Sequence, residues 1–231
     1  MKLNHILLCA AAALSLAACN DDDNNGPVIP ADAMQTIVTF AGTDEGETTF
    51  TVTEPGTTRL SEFTCRRSFP TEGTGALKSG DRLLIAYTNA SGKRYQSGPI
   101  TLSGYATIFQ GAAAAKTQSE ISPLRTDITE KQLIELSGKY VNVVLKAAAN
   151  QPALFSLYFD ETTLDATTPV AYVVFDSDNT NATERVFYGS FDISDVIDRP
   201  ACEGVKVVYG QGKNPAYEIL PVPGIHIRPD E

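Results

Sequence analysis

Hydrophobic and polar positions alternate with a period of two over much of the chain. Gln35 to Phe40 and Glu47 to Thr53 are rich in β-branched and aromatic residues; in the second run Thr48, Phe50 and Val52 share one face and Thr49, Thr51 and Thr53 the other. This pattern predicts half-buried strands. Arg82 to Thr88 is more continuously apolar, and Asn89-Ala90-Ser91-Gly92 supplies turn chemistry before the next apolar run, Arg94 to Leu102. Another short strand is expected over Gly104 to Gly111. Five strands in about 75 residues suit a small barrel.

Residues Ala112 to Thr126 break the pattern, with alanines followed by Lys116, Gln118, Ser119, Glu120 and Pro123, and a linker is expected at 113–126. Beyond it, Thr129-Glu130-Lys131-Gln132 matches a capping box that would open a short helix ending at Gly138, whereas Leu133 to Leu136 reads equally as a strand turning at Ser137-Gly138. Strands then recur at Tyr140 to Leu145, Ala153 to Phe159, Val170 to Phe175, Arg185 to Ile193 and Val205 to Tyr209. Asn179 to Ala182 and Gly210-Gln211-Gly212 read as turns, and a proline-punctuated tail adds an edge strand near Tyr217 to Leu220. The expected fold is all-β: a small OB-like barrel over 35–112, then an immunoglobulin-like β-sandwich over 127–231 that includes the tail.

The N-terminus is an address. Lys2 precedes an apolar stretch from Ile6 to Leu16, the length and flank of a secretory signal and too short to span a bilayer. Leu16-Ala17-Ala18-Cys19 closes it with small residues and places a thiol at the first mature position, the pattern of a bacterial lipobox. Residues 1–18 are therefore expected to be cleaved and Cys19 to be acylated, which makes the lipid bilayer a partner. Residues 19–34 hold Asp21, Asp22 and Asp23 and no apolar residue before Val28, so they read as a solvated acidic tether. The acidic triplet resembles the export signal by which Bacteroidetes send lipoproteins to the outer face of the outer membrane; a periplasm-facing anchor is the alternative.

Composition narrows the classes of function. The 231 residues are 42% hydrophobic and 20% charged, as in ordinary globular proteins. The formal charge is −10, and loss of Lys2 with the leader leaves 17 basic against 28 acidic residues, or −11. That balance opposes a nucleic-acid partner, which needs cations to neutralise phosphates. Once Cys9 leaves with the signal and Cys19 takes the lipid, Cys65 and Cys202 are the remaining thiols. In an exported chain they are a candidate disulfide, although parity is its sole support and two unrelated buried thiols are the plainer reading.

The search for chemistry yields mostly exclusions. After His5 is removed, His226 in the tail is the last imidazole, which disfavours a catalytic triad or a His-rich zinc site. Gly75 and Gly80 have P-loop spacing, but Asp81 stands where the phosphate-binding lysine belongs. There is no Ser-x-x-Lys pair. Asp176 to Asn181 begins like a calcium loop, yet Asn181 replaces the glycine and Phe187 the closing glutamate. Asp160, Glu161, Asp176 and Glu184 would serve a glycan hydrolase if they converged. Arg66, Arg67, Arg94 and Tyr95 are candidate contacts for an anionic sugar, with pairing to Glu62 or Glu72 as the plainer reading. No metal site, cofactor or catalytic residue is expected.

Taken with the lipobox, several segments carry a resemblance. Gly80-Asp81-Arg82-Leu83-Leu84-Ile85-Ala86-Tyr87, Ile100-Thr101-Leu102, Gly138-Lys139-Tyr140-Val141-Asn142-Val143 and Gly189-Ser190-Phe191-Asp192-Ile193-Ser194 are together similar to the NigD-like lipoproteins of Bacteroidetes. The resemblance covers nearly the whole mature chain. It implies an OB-like barrel before a β-sandwich, and a strand at Leu133 to Leu136. It brings no catalytic residues, and the absence of Trp departs from relatives that often carry one near the start of the second domain. The family name derives from a bacteriocin operon, which points to immunity or surface interaction. The expected function is a non-catalytic surface lipoprotein that binds a protein or a glycan. The alternatives are an envelope accessory or immunity protein, and a glycan hydrolase.

Overall fold

A computed structural model describes residues 30–224 except 71, 72, 74, 125, 178–181 and 211–214. Cys19, the acidic triplet, Glu72, His226, most of the calcium-like segment and parts of both expected turns lie outside the described residues.

The first half is a closed barrel. Strands β1 (Met34–Asp44), β2 (Glu47–Thr53) and β3 (Leu60–Cys65) form an antiparallel meander, and β4 (Arg82–Thr88) pairs on the other side of β1. One stretch of chain then closes the sheet: β5 (Gly98–Pro99) runs parallel to β3, Ile100 donates its N–H to the Thr64 carbonyl at 2.8 Å, and β6 (Thr101–Thr107) runs antiparallel to β4. The resulting order, with the last strand between β3 and β4, is that of an OB barrel. Glu45 and Gly46, both at positive φ, make the two-residue turn whose twist suits β1 and β2. Val38, Phe40, Phe50, Phe63, Ile85 and Tyr87 fill the interior, and Phe69 from the following loop lies edge-on to Phe50 at 5.8 Å.

The expected strand at Arg94 to Leu102 begins later, because residues 89–97 form the loop before the closing strand. β3 escaped the pattern: Ser61 points inward and Leu60 outward at 62% exposure, the reverse of the usual polarity. The buried Ser61 hydroxyl is satisfied by donating to the Tyr95 carbonyl at 2.6 Å.

The second half is a two-sheet sandwich. Its four-stranded sheet has the order β7 (Phe109–Ala112), β13 (Glu184–Asp192), β10 (Tyr140–Ala148), β9 (Glu130–Ser137). The five-stranded sheet has the order β15 (Ala216–Pro221), β14 (Gly204–Tyr209), β12 (Val170–Asp176), β11 (Leu154–Asp160), β8 (Ala114–Lys116). Between them pack Val141, Val143, Leu157, Phe159, Phe175, Val207 and their neighbours. Three pairings, β7 with β13, β8 with β11 and β12 with β14, are parallel, so the sandwich is mixed rather than purely antiparallel.

Two expectations change here. Phe109 to Ala112, read as the end of the barrel, and Ala114 to Lys116, read as linker, are edge strands of the two sandwich sheets, and the chain switches sheets at Ala113. Short alanine-rich segments carry little periodic signal, and pairing decides their state. The capping box also lies elsewhere: Thr117 and Glu120 cap a single turn, α1 (Gln118–Ile121), while Thr129 to Gln132 lead into β9. The strand reading of Leu133 to Leu136 holds.

Gly189 faces the sandwich core, where a Cβ would stand 2.8 Å from the Phe155 ring and 3.0 Å from Phe191. Gly189→Ala is expected to lower stability by about 1 to 3 kcal/mol through overpacking, measured by urea unfolding.

Candidate functional site

The sequence-derived site residues do not converge. Cys65 lies in the barrel core and Cys202 in the sandwich core, both buried and free. The candidate disulfide is therefore not formed, and burial raises both thiols above their ordinary range. Arg66 is exposed just beyond the end of β3, and Arg67 stacks over Phe69 and Tyr105, 5.7 Å from each ring centre. Tyr95 sits at the opposite end of that strand, its carbonyl on Ser61, and Arg94 beside it accepts the Tyr87 hydroxyl through its own carbonyl. The two groups are separated by roughly 17 Å of strand, at ~3.3 Å per residue, too far for one grip on a sugar.

The carboxylates are dispersed as well. Asp160 caps a turn through Thr162 N at 3.0 Å, Glu184 pairs with Lys146 across the other sheet at 2.7 Å, and Asp176 lies opposite Leu154, at the far end of β11 from Asp160. Roughly 20 Å of strand separates Asp160 from Asp176, beyond the ~5 to 9.5 Å of a glycosidase pair. Among the described residues no group of three or more His, Cys, Asp or Glu could hold a metal. Asp81 is a turn residue: one carboxylate oxygen accepts from Lys78 N at 2.7 Å and the other from Gln110 Nε2 at 3.3 Å.

The structure instead builds a polar cluster where the barrel meets the sandwich. Arg82 opens β4 and is 3% exposed. Its Nη1 donates to Thr39 Oγ1 at 2.6 Å within the barrel, its Nε to Ser190 Oγ at 2.9 Å and its Nη2 to Asn142 Oδ1 at 3.1 Å across the junction. Ser190 Oγ in turn donates to Asn142 Oδ1 at 2.9 Å, and Asn142 Nδ2 donates to Glu135 Oε1 at 3.2 Å. The guanidinium lies over the Tyr140 ring at 4.1 Å, and Gln110 accepts the Arg82 backbone N–H at 2.7 Å.

β-pairing explains the convergence. Glu135, Asn142, Ser190 and Gln110 form one row across the four-stranded sheet, on the face turned away from the sandwich core. Arg82, Leu84 and Ala86 alternate on the outer face of β4, with Ile37 opposite Leu84. Ile37, Leu84, Ala86 and, from β10, Val144 are buried yet outside both cores, so they form the apolar part of the same seam. Ser137 Oγ donating to the Thr53 carbonyl at 2.5 Å, and Gly56 N to the Leu136 carbonyl at 3.1 Å, continue it. Gly138, at φ +60, turns β9 into β10 so close to Thr53 that a Cβ would meet Thr53 Oγ1 at 2.8 Å.

Burial pulls Arg82 down to about 10, against the opposing effects of Tyr140, Glu135 and Asp192, so it stays charged at neutral pH. Burial also pushes the Glu135 carboxyl above the usual carboxylate range, although Asn142, Arg94 and Arg82 pull the other way. Tyr95 is raised by burial and by the charge of Glu135, which places it on the margin of the same cluster. Arg82 and Asn142 lie in segments of the family resemblance, yet no local pattern marks either as a junction residue. The available signal was an arginine on a strand apolar on both faces, which has to bury its outer face too.

Comparison with solved structures identifies the class of fold. A DUF1344 protein of unknown function from Bacteroides vulgatus superposes with a TM-score of 0.60 at 14% identity, over 83% of this chain and 91% of its own. A NigD-like immunity protein from Bacteroides caccae gives 0.54 at 15% identity, over 82% and 92%. A protein described as a candidate lipoprotein from Bacteroides fragilis gives 0.55 at 13% identity, over 82% and 97%. No family model and no curated protein matches the sequence. The chain thus has the fold of NigD-like proteins, and the resemblance seen in its sequence is met at the level of fold.

Three outcomes follow from this geometry. Arg82→Ala is expected to cost about 3 to 5 kcal/mol and to split thermal unfolding into separate barrel and sandwich transitions by calorimetry; an unchanged single transition contradicts the role given to the cluster. Because the folded-state value of Glu135 lies above that of the unfolded chain, its ionisation costs nothing below the unfolded value and progressively more as pH rises through the folded one. Glu135→Gln should therefore raise the melting temperature at pH 7 and lose that advantage near pH 4. Finally, dithiothreitol should leave the melting temperature of the wild type unchanged, since Cys65 and Cys202 are unpaired.

Proposed function

We propose that this chain is a lipid-anchored protein of the bacterial envelope, held by an acylated Cys19, that works as a non-catalytic binding module facing the cell surface from the outer membrane. The observation that carries the proposal is Leu16-Ala17-Ala18-Cys19 closing an apolar leader and followed by Asp21 to Asp23. At about 0.8 kcal/mol per buried CH₂, the multiple chains of an acylated cysteine hold a protein on a membrane effectively permanently. The fold shared with a candidate lipoprotein of Bacteroides fragilis supports this reading. Among the described residues no helix is long and apolar enough to cross a membrane. The tether enters the barrel at β1, and the buried seam behind it makes barrel and sandwich one presenting body.

A second reading, an accessory or immunity protein working beside another envelope protein, draws on the fold shared with a NigD-like immunity protein. Unchanged bacteriocin sensitivity after gene deletion removes it.

Wild type should incorporate labelled palmitate and Cys19→Ala should not; labelling that survives the substitution overturns the anchor. On intact cells, added protease should degrade wild type and spare a variant with Asp21, Asp22 and Asp23 replaced by Ala. Protection of wild type turns the protein inward.

A further inference from the structure

Among the described strands the sandwich has four edges, β7, β9, β8 and β15. Three of them are blunted in ways that discourage pairing. β7 is four residues long and β8 three. β9 carries Glu130 and Lys131, and its register with β10 shifts between Val144 and Leu145. β15 differs: its register with β14 runs unbroken from Ala216 to Pro221, and it exposes Tyr217 by 51% and Ile219 by 57%. Successive residues of a strand turn their backbone groups to opposite sides, and the bonds flanking β14 fix which side is which. Lys206 donates its N–H to the Pro169 carbonyl, toward β12, whereas Glu203 accepts from Val222 N at 2.9 Å. Odd-numbered residues of β14 therefore point to β15, where their partners are Leu220, Glu218 and Ala216. Tyr217, Ile219 and Pro221 consequently turn their backbone groups to the outer edge, beyond which no described strand lies. Glu218, which points to the other sheet, is held by Lys131 at 2.5 Å, an ion pair that uses no backbone group of β15.

We infer that β15 is an interface between two copies of this chain, pairing antiparallel with the same strand of a second copy about a two-fold axis at Ile219. The edge is self-complementary in that register. Ile219 opposite the partner's Ile219 forms two hydrogen bonds, and Tyr217 N on the partner's Pro221 carbonyl forms one in each direction. Both outward N–H groups of the strand are then used, and the proline stands where an acceptor is needed and a donor is not. On the outer face the two Ile219 side chains meet, and each Tyr217 lies across from the partner's Pro221, an aromatic and aliphatic pairing of the kind that stabilises sheets. Neighbouring registers fit less well. An axis at Glu218 sets two carboxylates directly opposite each other, and an axis at Tyr217 sets Ile219 against the partner's Pro215, outside the strand. A foreign peptide would use the same donors, but nothing in the strand specifies its side chains. The pairing is isologous and consumes the edge, so it closes at two copies. It depends neither on the anchor nor on a ligand.

The test is cysteine cross-linking of the full chain in its own cells. Cys65 and Cys202 are buried, and wild type serves as the background in which a free Cys19 would show. Mild oxidation should join Ile219→Cys chains into a dimer that a thiol reductant separates, because directly opposed residues of a hydrogen-bonded pair have Cα atoms ~5.5 Å apart, within disulfide range. Tyr217→Cys should not join to itself across roughly 14 Å of strand offset, but should join to Pro221→Cys when the two variants are made together. Leu60→Cys, comparably exposed on the barrel, measures random collision. Sedimentation equilibrium of the whole protein in detergent should show monomers and dimers at about 0.1 mM, as suits a small interface. Ile219→Lys should weaken that association about tenfold or more with the melting temperature unchanged, because Ile219 is exposed. The inference is overturned by Ile219→Cys joining no faster than Leu60→Cys, by Tyr217→Cys joining to itself faster than Ile219→Cys, by a wild type that stays monomeric, or by association indifferent to Ile219→Lys. Cross-linking of Ile219→Cys to a different protein overturns it as well and gives the edge to a foreign strand.

Discussion

The relation between barrel and sandwich depends on one buried guanidinium. Moving a charge out of water is costly unless its donors are met, and the partners that meet those of Arg82 come from both halves: Thr39 from β1, Asn142 from β10 and Ser190 from β13. The apolar contact of Ile37, Leu84, Ala86 and Val144 supplies area but little direction. The planar fork of an arginine supplies direction, because a small rotation of one half would leave Ser190 or Asn142 without its donor. Ser190 both accepts from Arg82 and donates to Asn142, so the cluster is closed on itself and carried outward to Glu135.

This seam determines how the molecule is layered. The four-stranded sheet is covered on both faces, by the barrel on one and by the five-stranded sheet on the other. The five-stranded sheet packs on the four-stranded sheet with one face, and the segment that carries α1 crosses the other over β11 and β12, where Ile121 and Val174 are buried. At one side of the sandwich the chain passes from β7 to β8 and stitches the two sheets together at Ala113. At the other side Lys131 on β9 reaches Glu218 on β15 at 2.5 Å and lies over Tyr209, bridging the two edge strands. An ion pair this exposed contributes little to stability, but it joins edges that would otherwise present unpaired backbone groups side by side.

Strands such as Glu47–Thr53, Arg82–Thr88 and Val170–Asp176 were legible in the sequence because each buries alternate or successive apolar side chains, a property local to the strand. The lipobox pattern ending at Cys19 is visible for a similar reason, since it consists of contiguous residues. β3 was not, since its inward Ser61 is tolerated through a carbonyl 34 residues away, a partner no local pattern reveals. The same holds for Phe109 to Lys116, whose strand state comes from the backbones of β13 and β11.

The candidate site divides along the same line. Arg66, Arg67, Arg94 and Tyr95 stood out as cations and aromatics adjacent in sequence, yet the barrel distributes them to opposite ends of one strand. Asn142 and Ser190 lie 60 and 108 residues from Arg82 along the chain and meet it because three strands from the two halves bring them to one seam. Tyr158, Tyr172 and Tyr217, up to 59 residues apart in sequence, are likewise aligned across the five-stranded sheet by its parallel and antiparallel registers. The sequence by itself determined the strand content and the division into two β halves, both of which depend on neighbours along the chain, and it carries the lipobox pattern on which the proposed anchor rests. Tertiary structure decided the free state of both cysteines and the charged seam, because each depends on which strands lie side by side.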